Sequence, residues 1–295
     1  MTALAAVVVA HDSAAVLPSC LAALAREGVP ALVVDNASRD ASAAVAEAAG
    51  ARVLRNPRNE GYGRAANRGA RAAEGARHVL VLNPDLVLRP GAAAALLAAA
   101  GRWPDAGLLA PRIREPDGRV FFQPRSLLSP YLPNPSGRLA LPEGDACAPF
   151  LSGACLMVER GLFLGLGGFD PAIFLFYEDD DLCRRVADAG RALVHVHGAV
   201  AEHARGGSSA PERGRVFRAR WHQAWSRAYV CRKYGLPDPS LGMLAVNAPK
   251  AALSLAVLRR KGWERYGGSA ARALAARRGR SALAREGLDP DRVEA

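Results

Sequence analysis

The first hundred residues alternate short apolar runs with Ala-rich stretches of helical period, and this alternation limits the fold more than any other feature of the chain. "LAAVVVA" (4–10), "PALVVDN" (30–36), "ARVLRN" (51–56) and "HVLVLNPD" (78–85) read as strands. Helices are expected between and after them, at about 14–26, 38–50, 63–75 and 90–104, with Ser38 as N-cap of the second and Gly50 as its stop. Strand and helix in succession build βαβ units, so the expected fold is α/β, with a Rossmann-like, mostly parallel central sheet flanked by helices. Half of the 295 residues are apolar, which is ample material for such a core.

In sheets of this kind the ligand crevice lies beyond the carboxyl ends of the strands. Polar residues collect there: His11, Asp12 and Ser13 after the first strand, Asp35 and Asn36 after the second, Asn56 and Asn59 after the third, Asn83 and Asp85 after the fourth. A carboxylate at Asp35 can accept a base N–H or a ribose hydroxyl. The first turn, "AHDSAAVLPS", lacks the G-x-G-x-x-G set and the chain has no P-loop, which disfavours a dehydrogenase. The phosphates of a bound nucleotide then need another counter-charge. "LNPD" (82–85) offers one, because an oxygen-rich strand end can hold Mg²⁺ or Mn²⁺ against a diphosphate. Asp85 is the direct ligand in this reading, and Asn83 adds a carbonyl oxygen or a ribose contact. One carboxylate makes a weak site, and His203 is the candidate second ligand, imidazole suiting Mn²⁺ better than Mg²⁺.

Further on, "GLLAPRIREPDGRVFFQP" reads as a hairpin turning at Asp117–Gly118, residues 124–149 as a mobile loop, 150–160 as a strand leading into a short helix, and 191–203 as one or two strands. "YEDDDLCRR" (177–185) opens a helix that stops at Gly190 and sets four acids side by side: Glu178, Asp179, Asp180 and Asp181. A helix N-terminus stabilises carboxylates through its free N–H groups, so one or two of these acids are expected simply to cap the helix. An acid held there beside a metal-bound diphosphate can also act as general base on an acceptor hydroxyl.

The chain carries a net charge of +11, and residues 203–281 hold 17 Lys+Arg against 3 Asp+Glu, so the basic character is C-terminal. The apolar stretch 241–263 is broken by Asn247, Pro249 and Lys250 and falls short of a spanning helix. It reads as a basic amphipathic surface, with Trp263 and Tyr266 suited to a membrane interface. An anionic membrane surface is one expected partner of 241–280; packing on the catalytic domain or on a second subunit, as a homo-oligomer, is the other. The five Cys show no metal-ligand spacing and the N-terminus lacks a basic leader region, which gives the expectation of a cytoplasmic protein, peripheral on the inner face of the cell membrane. The basic segment has no aromatic interleaving, so nucleic acid is not an expected partner.

The order "VVVAHDS … VVVDNASRD … NEGYGRAANRGA … VLVLNPDL … FLSGACLMVER … GGFDPAIFLFYEDDDLCRR … EHARGGSS" resembles the family 2 inverting glycosyltransferases of the GT-A fold, and within them the rhamnosyltransferase-like branch. The resemblance covers roughly residues 4–235. It implies a nucleotide-diphosphate sugar donor, a divalent metal, a single inverting displacement, and a glycan or lipid-linked acceptor. Carried over by position, it implies base contact for Asp35, a nucleoside pocket at His11, and donor phosphates near Asn67 and the Gly61–Gly63 turn. "NPD" stands where many members have D-x-D, so Asp85 is implied as metal acid, with Asn83 in place of the first acid and His203 as further metal ligand. Asp179 is implied as catalytic base. Gly153, Glu178 and Asp181 fall on the acceptor side, Ala154 beside Gly153, and Asp180 is expected to face solvent. The expected domains are 1–235, catalytic (1–105 binding the nucleotide-sugar, 106–235 the acceptor), and 236–295, a basic helical extension. Two other functions share some of these features. A nucleotidyltransferase would need a Gly-rich, basic loop after the first strand, which is absent; a catalytically silent glycan- or membrane-binding relative is disfavoured by intact Asp85, Asp179 and His203.

Overall fold

The computed structural model describes residues 2–123, 126–128, 141–204, 213–276 and 281–289. The expected alternation is present: β1 (Thr2–Ala10), α1 (Leu17–Arg26), β2 (Ala31–Asp35), α2 (Ser42–Ala48), β3 (Arg52–Arg55), α3 (Tyr62–Ala72), β4 (Ala76–Leu82), β5 (Leu86–Leu88) and α4 (Ala92–Arg102). β6 (Ala106–Arg114) and β7 (Val120–Phe121) form the hairpin, with Gly118 at φ +81° in its turn. There follow β8 (Ala146–Cys147), β9 (Cys155–Glu159), α5 (Arg160–Gly165), α6 (Glu178–Asp188) and β10 (Ala192–His203). The remainder is helical: α7 (Arg215–Lys233), α8 (Ser240–Ala256), α9 (Arg260–Ala276) and α10 (Ala282–Arg285).

The strands form one sheet in the order β3-β2-β1-β4-β9-β6-β10-β5, with β7 on β6 and β8 on β10. The β3-β2-β1-β4 half is parallel throughout, as the βαβ pattern demands. The other half is mixed: β9 runs antiparallel to both β4 and β6, and β5 antiparallel to β10. The β6–β10 ladder breaks opposite Pro111, which has no N–H to give it, and resumes at Val200. Helices α1 and α4 cover one face with Leu17, Leu21, Leu24 and Leu96; α3, α5 and α6 cover the other with Ala66, Phe163, Leu182 and Val186. Gly69 lets α3 lie close on the sheet, since a Cβ there would press on Val7 and stand 3.0 Å from Val34 Cγ2.

Ser38 is not a helix cap. α2 begins at Ser42, whose N–H bonds Asp40 Oδ1 at 2.9 Å, while Ser38 Oγ accepts the Asp12 amide at 3.0 Å across two loops. The expected loop at 124–149 lies largely outside the described residues, as does the basic "RRGR" of 277–280.

Contacts group the chain into two compact units: residues 1–169 with 179–210, and 170–178 with 211–295. The second unit has its own core of Phe174, Trp221, Trp225, Leu283 and Leu288. In it, buried His222 stacks on Phe174 at 4.5 Å and lies 2.7 Å from Glu286 Oε1, and Asp170 accepts from Tyr229 Oη and Lys233 Nζ.

Candidate active site

The loops after β1 and β2 are tied to each other. The His11 ring nitrogen Nδ1 lies 3.0 Å from the Asn36 carbonyl, the Arg39 amide donates to Asp12 at 2.7 Å, and the Ser13 amide donates to Ser42 Oγ at 2.7 Å. Asp12 and Ala37 sit at positive φ, 51° and 60°, a conformation non-glycine residues rarely hold, and strain of this kind gathers at functional sites. Asp35 ends β2 buried, accepting the Ser38 amide at 3.2 Å. Asn36 is fully used: its amide meets Asn59, the Gly61 carbonyl, Asn56 and the Glu60 N–H, and so fixes the turn into α3. The polar strand ends therefore include a structural asparagine network as well as groups facing the crevice.

At the end of β4 the Asn83 amide donates to the Ala154 carbonyl at 2.9 Å, which sets the "NPD" turn beside the start of β9. Asp85 has a fully buried side chain, and His203 Nε2 lies 3.3 Å from its Oδ1. The pairing is built by register: β10 opposes β5 with His203 across from Leu86, and the Ala204 amide bonds the Asp85 carbonyl at 3.1 Å. Cys20 Sγ lies 3.8 Å from the Asn83 carbonyl, and burial and then the Asp85 charge push its thiol up to about 12. Among the described residues no group of three or more His, Cys, Asp and Glu could enclose a metal ion. One carboxylate and one imidazole side by side would suit a divalent cation that takes further ligands from outside the chain.

Glu178 and Asp179 open α6, directly after Phe176 and Tyr177, both at positive φ (67° and 66°). Asp179 is half-buried; its Oδ2 accepts the Gly153 amide at 2.9 Å and its Oδ1 the Asp180 amide at 3.1 Å. Burial raises its carboxyl above the usual carboxylate range, against the pull of these N–H groups. Gly153 is held in turn by Tyr62, whose hydroxyl donates to its carbonyl at 2.9 Å. A continuous path of contacts thus runs from Asp179 through Gly153 and Ala154 to Asn83 and the Asp85–His203 pair.

Asp180 does not face solvent. It is 8% exposed, accepts from Ser126 Oγ at 2.9 Å, and is pushed up to about 7 by burial and by the neighbouring Asp179 charge. The sequence expectation failed because Ser126 stands in a segment that reads only as loop. Asn67 and Asp181 are not brought to the crevice. The Asn67 amide donates to the Phe169 carbonyl and accepts the Phe169 N–H, both at 2.8 Å. Asp181 is fully buried and bonded to Arg185 Nε at 2.8 Å, and that guanidinium also holds the carbonyls of Leu166 and Gly168. Together they clamp the turn at 166–169. Tyr62 and Ser126 escaped the sequence reading because their partners, Gly153 and Asp180, lie tens of residues away, whereas Arg185 was marked only by its one-turn spacing from Asp181.

The family described as Glycosyl transferase family 2 matches residues 5–166. An N-acetylglucosaminyl-diphospho-decaprenol L-rhamnosyltransferase of Mycobacterium tuberculosis, present in two strains, is 34% identical over 238 residues, covering 68% of this chain and 78% of the relative. Among solved structures, Staphylococcus aureus TarS 1–349 in complex with UDP-GlcNAc aligns with a TM-score of 0.55 at 15% identity, over 95% of this chain and 93% of that one. GalNAc-T7 with UDP, GalNAc and Mn²⁺ aligns with a TM-score of 0.59 at 18% identity over 80% of this chain, which spans 52% of that one. These two likenesses establish a shared fold. With the family match over more than half its length and a relative above 30% identity, the chain belongs to glycosyl transferase family 2 and is a glycosyltransferase.

Proposed function

We propose that this chain moves a deoxyhexose of the rhamnosyl type from a nucleoside-diphosphate donor to a hydroxyl of a lipid-linked glycan acceptor, with inversion, in building a cell-surface polysaccharide. The observation that carries the reading is the contact path joining Asp179 to the Asp85–His203 pair through Gly153 and Asn83. It ties an acid suited to accept a proton to a site suited to a metal-bound diphosphate. The sugar and acceptor class are taken from the rhamnosyltransferase relative.

In this reading Asp35 and His11 hold the nucleoside. Asp85 and His203 hold Mn²⁺ or Mg²⁺, which when bound stabilises the negative charge that grows on the departing diphosphate. Asp179 takes the proton of the acceptor hydroxyl as that oxygen attacks the anomeric carbon from the face opposite the leaving group. Its raised carboxyl makes it a stronger base than an exposed aspartate once it is ionised. The Gly153 N–H fixes the orientation of that carboxylate, and Glu178 stands beside it at the helix start.

The test is calorimetric binding of dTDP-rhamnose, UDP-galactofuranose, UDP-glucose, UDP-GlcNAc and GDP-mannose, with and without Mn²⁺, to wild type and Asp85→Ala. Metal-dependent binding of dTDP-rhamnose that Asp85→Ala abolishes is the expected result. Tight binding of a different donor would overturn the rhamnosyl assignment. Donor binding indifferent to both metal and Asp85 would overturn the site.

A further inference from the structure

Helix α8 leaves several large apolar side chains exposed. Its inward face carries Asn247, Ala251 and Ser254, with Ala251 and Ser254 buried. Its outward face carries Leu241 at 67%, Val246 at 54% and Leu253 at 65% exposure. The polar groups on the inward face are satisfied within the helix: Asn247 Nδ2 donates to the Met243 carbonyl and Ser254 Oγ to the Lys250 carbonyl, both at 2.7 Å. Against that face α9 packs through Gly262, where a Cβ would stand 3.0 Å from Ser254 Cβ and collide with its hydroxyl. Large apolar side chains this exposed and clustered mark an interaction surface.

Exposed apolar side chains run from the last turn of the helix into the turn that follows. Leu255, Val257 and Leu258 are exposed, Leu258 by 92%. Leu258 also sits at φ +52°, a conformation that costs a branched residue energy and presents its side chain to the outside. A basic rim follows at once: Arg259, Arg260 and Lys261 are all exposed, and Trp263 is 36% exposed. From Ser240 to Trp263 there are four Lys+Arg and no Asp or Glu. Arg260 pairs with Glu264 at 2.9 Å, which leaves Arg259 and Lys261 to set the charge of the rim. No helix among the described residues is long and apolar enough to cross a membrane.

We infer that the ridge formed by Val246, Leu253, Val257 and Leu258 docks in the interfacial layer of an anionic bilayer, with Arg259 and Lys261 on the lipid headgroups. Val246 and Leu253, seven residues apart, lie on one stripe of α8 that leads towards Val257 and Leu258 in the turn; these give the insertion area, and each headgroup-level cation adds attraction to anionic lipid. A second copy of this chain fits the face poorly. Burying the ridge against itself would bring two sets of Arg259, Arg260 and Lys261 together, with no acid in the segment to balance them. The inference rests on α8 and its turn alone and stands apart from the choice of sugar or acceptor.

The test is co-sedimentation of the full chain with vesicles of phosphatidylcholine alone and of phosphatidylcholine mixed with phosphatidylglycerol. Binding to the mixed vesicles should exceed binding to the neutral ones and fall with added salt. Leu253→Ser with Leu258→Ser should weaken it at least roughly tenfold, and so should Arg259→Gln with Lys261→Gln. All four side chains are exposed, so unfolding midpoints and donor binding should match wild type and separate this failure from that of the transferase reading. Absence of binding by wild type, binding unchanged in both variants, or a dimer in sedimentation that Leu258→Ser splits would each overturn the inference.

Discussion

The carboxylate of Asp179 rests on the backbone of Gly153: Oδ2 accepts the Gly153 amide at 2.9 Å, and a Cβ added at residue 153 would stand 3.1 Å from Asp179 Cβ. That separation is tighter than ordinary van der Waals contact, so a methyl group there must displace the aspartate by a few tenths of an ångström. Gly153→Ala is therefore expected to lower kcat by about tenfold while leaving the donor KM nearly unchanged, since small misplacements of a reacting group are costly. Steady-state kinetics with donor and acceptor varied separately check it. An equal rise in donor KM would mean that the residue acts on binding instead.

Asp179→Asn keeps the shape and the Gly153 hydrogen bond but removes the proposed base. A general base contributes about 10²–10⁴ in rate, so kcat should fall within that range with donor affinity retained. In wild type the base works only when ionised. Because burial holds its carboxyl above the usual carboxylate range, the rate should rise with pH beyond that range before levelling. The variant's residual rate should lack this acidic limb, and a pH–kcat profile on both proteins decides it.

Asp180 makes a separate prediction about stability. Its carboxyl is pushed up to about 7 by burial and the Asp179 charge, whereas in the unfolded chain it ionises near the ordinary value of 3.8. Between those values the unfolded chain has lost the proton and the folded chain keeps it, so stability is highest below the unfolded value and declines as pH rises through about 7. Asp180→Asn retains an oxygen for Ser126 Oγ and has no charge to bury. It should raise the unfolding midpoint near neutral pH and leave it unchanged near about pH 3, where both forms are neutral. Thermal melts across that range test the difference, which should be on the order of 1–4 kcal/mol at the alkaline end.

The turn at 166–169 gives a packing test. Gly168 sits at φ +68° and a Cβ there would run into Asn67 Oδ1. Gly168→Ala should cost upwards of about 2 kcal/mol, from the backbone conformation together with the lost amide clamp. Asn67→Ala should cost a similar amount by leaving the Phe169 backbone groups unbonded. Because both act on one clamp, the double variant should fall short of the sum. Additive losses in denaturant titrations would place the two residues in independent roles.

These residues also mark how far the sequence could be read. The parallel half of the sheet was legible because each βαβ unit is a local pattern, and Asp85, His203 and Asp179 were legible because their motifs are short and ordered along the chain. The antiparallel insertion of β9 between β4 and β6 was not, since strand pairing over seventy residues leaves no local trace. The four acids of "YEDDDLCRR" look alike in sequence yet meet different fates. Asp179 meets a backbone amide, Asp180 a serine from a distant loop, and Asp181 an arginine one helical turn on. Their roles are set by what packs against each, and only the Asp181–Arg185 spacing could have been read from the chain itself.

The Asp85–His203 pair predicts how metal dependence divides between its two members. In the proposed role Asp85 brings the charge that would hold the ion, so its removal should abolish metal-dependent donor binding. His203 brings a ring nitrogen, 3.3 Å from that carboxylate, and imidazole favours Mn²⁺ over Mg²⁺. His203→Gln keeps an oxygen near the same place. It should raise the Mn²⁺ concentration for half-maximal activity by about tenfold while changing the Mg²⁺ requirement far less, so that the preference between the two ions narrows. Activity titrated with each ion in wild type and variant measures this. An equal loss for both ions would mean that His203 serves only to orient Asp85.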